Sequence, residues 1–211
     1  MILDLLFPRK CILCRRILDG SQTDLCEHCR REAPWFTARK QKIPFTDGFC
    51  AVFEYKDSVR ESILRYKFGG QTCYAASYGK LLALTIQEQF GGEFDVLTYV
   101  PVSVLRRVRR GYDQMALLAR EVGRELHQKP VRLLRKVRHN RPQSSLKGDA
   151  PRRANVLGAY RVRDPAAVAG KRILILDDIL TTGATVSECA KTLSLAGAQQ
   201  VLCACLACAR T

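Results

Sequence analysis

The chain has 211 residues, of which 47% are apolar and 8% aromatic, enough for one good hydrophobic core with a small appendage. Its formal net charge of +15 is local, because residues 101–163 carry 17 basic and 4 acidic side chains and so supply +13 of the total, mostly as arginine. Arginine favours forked phosphate contacts, so the implied ligand is a polyanion, a phosphorylated metabolite or nucleic acid, rather than a solvated surface. The opening MILDLLFPRKC has no basic residue ahead of its brief apolar part and no small-residue cleavage site, and the longest later apolar run, VLCACLACA from Val201, is too short to cross a bilayer. Neither export nor membrane insertion is expected, and the chain reads as cytoplasmic.

Ten cysteines without an export signal point to metal binding or buried thiols rather than disulfides. Cys11 with Cys14 and Cys26 with Cys29 form two C-x2-C knuckles separated by eleven residues, a spacing that closes one tetrahedral zinc site. A redox pair is the competing reading, and His28 is a weaker rival donor beside four thiols. Residues 1–40 are too few for a core of their own, so a zinc module there needs its metal. From Glu32 to Asp47 the chain reads as a linker bounded by Pro34 and Pro44. Trp35 beside Phe36 can stack a base, but packing onto the main domain suits it better.

From Phe49 the pattern becomes regular. Phe49, Ala51, Phe53 and Tyr55 alternate, which predicts a strand with one aromatic face. Asp57 to Phe68 reads as a short helix with Ser58 and Glu61 as a capping box, broken by Gly69 and Gly70. Residues 73–90 predict a second helix with Leu81, Leu82, Thr85 and Ile86 inward, closed by Gly91 and Gly92. A strand over Phe94–Val102 leads into the basic stretch LRRVRRGYDQ and then a helix with Met115, Leu118, Ala119, Val122 and Leu126 on one stripe. VRLLRKVRH is a further strand or extended segment. Residues 138–157 are polar, basic and interrupted by proline, and read as a long mobile loop. Lys171–Asp178 is the central strand, Thr185–Gly197 an amphipathic helix ended by Gly197, and Gln199–Ala209 a last strand whose Cys203, Cys205 and Cys208 suit a buried strand better than a metal site.

The stretch ILILDDILTTGAT, Ile173–Thr185, carries the chemistry. Four apolar residues in a row predict a strand buried on both faces, as in a parallel sheet, with Asp177 and Asp178 at its carboxyl end where α/β folds bind ligands. The amides and hydroxyls of Thr181, Thr182, Ala184 and Thr185 then face a helix N-terminus, which suits phosphate, and Gly183 permits the tight turn. Two carboxylates would repel that phosphate, so they serve the ribose hydroxyls of the same ligand, a ribose 5-phosphate. Helix capping alone needs one acid, not two. No buried partner for either acid is identifiable from the sequence.

Ile173–Thr185 resembles the phosphoribosyl pyrophosphate (PRPP) loop of type I phosphoribosyltransferases. Together with YVPVSVLRRVRRGYDQMALLA, NRPQSSLKGDAPRRANVLGAY and the paired knuckles, the chain is similar throughout to the ComF family of competence proteins. The resemblance implies an α/β type I phosphoribosyltransferase fold, a parallel sheet flanked by helices, over residues 41–211, behind a zinc-ribbon-like module over 1–40. It implies Asp177 and Asp178 as the catalytic acids, with PRPP held by Thr181, Thr182, Gly183, Ala184, Thr185, Arg110, Arg141, Lys147 and Arg153. It also implies a pyrophosphate loop after Val100-Pro101 and a flexible loop over 138–157 that closes over PRPP with Gln143 and Arg152, keeping water from the oxocarbenium-like ribose. Magnesium would travel on the pyrophosphate. The family's usual R-G-F-N-Q reads Arg110-Gly111-Tyr112-Asp113-Gln114 here, which adds a carboxylate and puts metal and pyrophosphate contacts in question.

Two functions compete. One is transfer of a phosphoribosyl group to an acceptor that the sequence does not name; no general base is evident, and His139 suits a solvated loop better than that role. The other is single-stranded DNA binding through Arg106, Arg107, Arg109 and Arg110, with PRPP regulatory or vestigial. The family implies DNA uptake in natural transformation, and with it contact with uptake or helicase machinery. An amidotransferase making its own ammonia is a poor third reading, because Ile2 offers no N-terminal cysteine nucleophile and no glutaminase domain fits.

Overall fold

In the computed structural model the described residues are 8–37, 42–138 and 149–209, and the side chains of Arg106, Arg109 and Arg153 lie outside the description. Strands β1 (Gly48–Glu54), β2 (Val96–Tyr99), β5 (Arg172–Leu180) and β6 (Gln200–Cys208) form one sheet in the order β1-β6-β5-β2, all parallel. A second, antiparallel pair joins β3 (Leu134–Lys136) to β4 (Tyr160–Val162). The apolar run of β5 divides by alternation across the pleat. Leu174 and Leu176 belong to one core, Ile173 and Ile175 to the other.

The first core lies under helices α2 (Asp57–Phe68), α3 (Tyr74–Phe90) and α5 (Gln114–Glu125), which contribute Ile63, Tyr66, Tyr78, Leu82, Ile86, Leu118 and Val122. The second lies under α7 (Ala184–Leu195), with Val186, Cys189, Ala190 and Leu193 inward, as predicted from their spacing. Helices α3 and α5 approach so closely that a Cβ on Gly79 would sit 2.5 Å from that of Glu121, which only glycine avoids. At the amino-terminal end of the sheet, Asp95 takes the Arg172 guanidinium at 2.7 Å and its amide at 2.9 Å, which holds the carboxyl down at about 2.

The amino-terminal segment, with helix α1 (Glu27–Glu32), does not stand apart. Ile12, Leu13, Leu18 and Leu25 join the first core, and Arg65 of α2 donates to the carbonyls of Ile12 (3.1 Å) and Leu13 (2.6 Å). Ser62 donates to Ile12 as well, so the buried Tyr78 hydroxyl, 2.6 Å away, donates to Ser62. Trp35 stacks on Phe53 with centroids 4.8 Å apart, and Pro34 and Phe36 bond to the backbone of β1. The linker thus covers a sheet edge.

Several expectations are corrected. β1 is buried along both faces from Cys50 to Glu54 instead of showing one aromatic face. Ser58 is no cap: α2 starts at Asp57, its N-cap Lys56 offers no side-chain bond, and Glu61 pairs with Arg65 instead. In α3 the inward positions are Tyr74, Tyr78, Leu82 and Ile86, with Leu81 and Thr85 on the flank. The basic stretch forms helix α4 (Val104–Arg110). Residues 149–156, expected as loop, form helix α6 (Asp149–Val156), where Pro151 sits in the first turn and removes no intrahelical bond. Among the described residues, no helix is long and apolar enough to cross a membrane.

Candidate functional site

β5 continues past the acids to Leu180, so Asp177 and Asp178 lie inside the strand rather than in a loop beyond it. Asp177 is in register with Cys205 and shares its face, while parity sends the side chain of Asp178 to the opposite face. Asp177 falls on the α7 side, where its charge adds to burial in pushing up the thiols of Cys189 and Cys203. Burial first, and then the neighbouring Asp178 charge, raise its own carboxyl to about 7. Asp178 meets Lys67 of α2 at 2.9 Å, with both side chains largely shielded from solvent. The acid therefore has a buried partner, contrary to expectation. A single lysine among 35 basic residues carries no signal of such a role, although its place just before Gly69-Gly70, at the end of a helix, is a usable hint.

Beyond Leu180 the chain turns through Thr181–Gly183 into α7. Gly183 has φ 71°, the left-handed conformation that favours glycine, and a Cβ there would come within 3.4 Å of Ile43. Thr182 Oγ1 accepts from the Ala184 amide at 3.4 Å, a long contact. Asp177, Thr181, Thr182, Gly183, Ala184 and Thr185 line one open hollow at the amino end of α7. An anion there would meet the amides and positive dipole of a 12-residue helix.

The end of α2 that carries Lys67 also meets the end of α4. Arg110 places its guanidinium 4.7 Å from the centroid of Phe68, and Arg107 is half-buried. Arg106 and Arg109 belong to the same helix. Asp113, the carboxylate that departs from the family pattern, is the N-cap of α5 and accepts from the Ala116 amide at 3.1 Å. Arg152 and Arg153 lie in α6. His139, Arg141, Gln143 and Lys147 lie outside the described residues.

On the far side of α2, the sulfurs of Cys11, Cys14, Cys26 and Cys29 all lie within 4.8 Å of one another. Four thiolates around a tetrahedral zinc, each at about 2.3 Å, stand about 3.8 Å apart, so the donor set fits that ion. Cys14 and Cys26 are already at 3.6 Å. Burial opposes ionisation of Cys26, yet the Cys29 amide and the surrounding thiols outweigh it and bring the thiol to about 7. Exposed His28 lies outside the group, and Cys203, Cys205 and Cys208, buried in β6, lie outside it too.

Residues 94–211 match the family described as phosphoribosyl transferase domain, and residues 2–41 match the double zinc ribbon domain. The chain belongs to the phosphoribosyl transferase family, as a member of the ComF type. Competence protein F of Haemophilus influenzae is 25% identical over 92% of this chain and 95% of its own. DNA utilization protein YhgH of Escherichia coli O157:H7 is 30% identical over 94% and 97%, and competence protein ComFC of Bacillus subtilis 28% identical over 87% and 77%.

Two outcomes follow. Purified chain should carry one zinc, and a Cys26→Ser/Cys29→Ser variant should lose it and melt at lower temperature as a whole, because the knuckle carbonyls hold α2. Metal analysis with thermal denaturation checks this, and full zinc in the variant would refute the site. For Asp177, the folded carboxyl near 7 lies above the unfolded value of about 3.9, so its contribution to stability is complete below about pH 4 and is lost as pH rises through about 7. The melting temperature of Asp177→Asn should therefore fall less than that of the unsubstituted chain across that range; parallel curves would contradict the assignment.

Proposed function

We propose that this chain binds PRPP with magnesium at the β5–α7 turn and acts in the handling of DNA taken up by the cell. The observation that carries the reading is the buried acid pair of β5 leading into a threonine–glycine turn at a helix amino terminus, within a chain of the phosphoribosyl transferase family. The 5-phosphate takes the amides and hydroxyls of Thr181–Thr185. Asp177 and Asp178 accept from the ribose hydroxyls, and Lys67, 2.9 Å from Asp178, fixes the position of that carboxylate. Arg110, Arg141, Lys147 and Arg153 would supply the cationic partners of the pyrophosphate, the assignment resting on the family resemblance. Magnesium would be held by the pyrophosphate oxygens, leaving these acids for the sugar. The role in DNA handling rests on the relatives named for competence and DNA utilization.

Calorimetry should register PRPP binding that depends on magnesium. Asp177→Asn/Asp178→Asn should weaken it roughly tenfold or more, since hydrogen bonds to charged groups are lost. Circular dichroism checks that the variant is folded, because Lys67 loses its partner. Unchanged affinity would overturn the reading.

A second reading, single-stranded DNA binding with PRPP as a regulator, is favoured by the charge of residues 101–163, which exceeds what one pyrophosphate requires. For about four to six phosphate contacts the logarithm of affinity should fall against log salt with slope roughly −3 to −4. Replacing Arg106, Arg107, Arg109 and Arg110 by alanine should flatten that slope, and PRPP should displace bound oligonucleotide. Absence of binding at low salt by zinc-replete protein would leave the small-molecule reading alone.

A further inference from the structure

Helix α2 ends in Tyr66-Lys67-Phe68, and each of these residues reaches a different part of the site. The Tyr66 hydroxyl donates to the carbonyl of Gln114 at 2.6 Å, while its own carbonyl accepts from the Tyr112 hydroxyl. Lys67 holds Asp178. Phe68 holds nothing inside: the buried stripe of α2 runs through Val59, Ile63 and Tyr66, and Phe68 points away from it, 68% exposed. The Arg110 guanidinium lies over its ring. Beyond it come Gly69 and Gly70, with Gly70 at φ 67° and nothing within 4 Å of where its Cβ would be, so no side chain at Gly70 screens the ring.

We propose that Phe68, backed by Arg110, is a stacking platform for an unpaired nucleobase at the mouth of the site. A phenyl ring left in water beside a buried ion pair serves no purpose in the core. Its surroundings select the ligand. With Arg110 over the ring and the other arginines of α4 preceding it on the same helix, this surface suits an anionic molecule that also carries a flat π-face, and a nucleotide has both. Arg110 braces the ring by a cation–π contact. Base stacking on an aromatic tolerates any sequence, because every base has such a face. The base comes either from a single strand or from a free nucleoside. The first source rests on the DNA reading above, and the test separates the two.

Fluorescence anisotropy on the full zinc-replete chain would compare an oligothymidylate with a strand of the same length made of abasic sites. Phe68→Ala should weaken the oligothymidylate roughly tenfold while leaving abasic binding and the salt slope unchanged. Its melting temperature should hold, since the ring is exposed. Phe68→Trp should retain affinity and show quenching, beyond any from Trp35, when a base is added. If the unsubstituted chain binds oligothymidylate and Phe68→Ala binds it equally, the platform is wrong and the DNA reading stands. If the unsubstituted chain binds neither strand, the DNA reading falls. Saturable quenching of Phe68→Trp by a free nucleoside would then support the platform, and its absence would overturn it.

Discussion

Two adjacent carboxylates in the last third of a central parallel strand can be kept only if each is relieved of its charge in some way, because burial and mutual repulsion both oppose ionisation. Here the pleat separates them. Asp178 is turned to α2 and paired with Lys67 at 2.9 Å; Asp177 is turned to α7, where burial and the Asp178 charge outweigh the pull of Lys67 and Lys136 and the carboxyl holds its proton to about pH 7. The arrangement is poorly suited to stability alone, since an apolar pair would pack there without either cost. It suits a strand end that must present polar groups to a ligand.

Lys67 depends in turn on α2 being held in place, and α2 is held largely by the metal-binding segment. Ile12 and Leu13, the residues between the first two cysteines, give their carbonyls to Ser62 and Arg65, one turn before Lys67 on the same helix. In the same last turn, Tyr66 is tied to Tyr112 and Gln114, and so to the turn that starts α5. A thiol cluster on one side of the helix and an acid on the other are thus joined by a single rigid element. The segment adds its apolar residues to the core under α2 and α3 instead of forming its own. The shortness of residues 1–40 explains why it must.

Much of this was legible in the chain. The C-x2-C knuckles, the helical stripe through Val186, Cys189, Ala190 and Leu193, and the glycine needed at 183 are local: ligand spacing, period and backbone conformation are properties of short stretches. The parallel sheet followed from Ile173–Leu176, because a run apolar at every position has to be covered on both faces. Where local patterns were ambiguous the reading failed. Ser58 and Glu61 have the spacing of a capping box, yet the helix begins one residue earlier. Residues 149–156 have a loop's composition and form a helix.

By itself the sequence determined which residue types stand at the turn after β5, that four thiols share one segment, and where the positive charge is concentrated; these are matters of order along the chain. The tertiary structure alone decided that Asp177 and Asp178 face opposite ways, that Lys67 pairs with one of them across 111 positions of chain, and that Phe68 stands in solvent beside Arg110. Those facts depend on how α2 packs against β5 and α4. Packing between elements distant in sequence leaves no spacing or period to read.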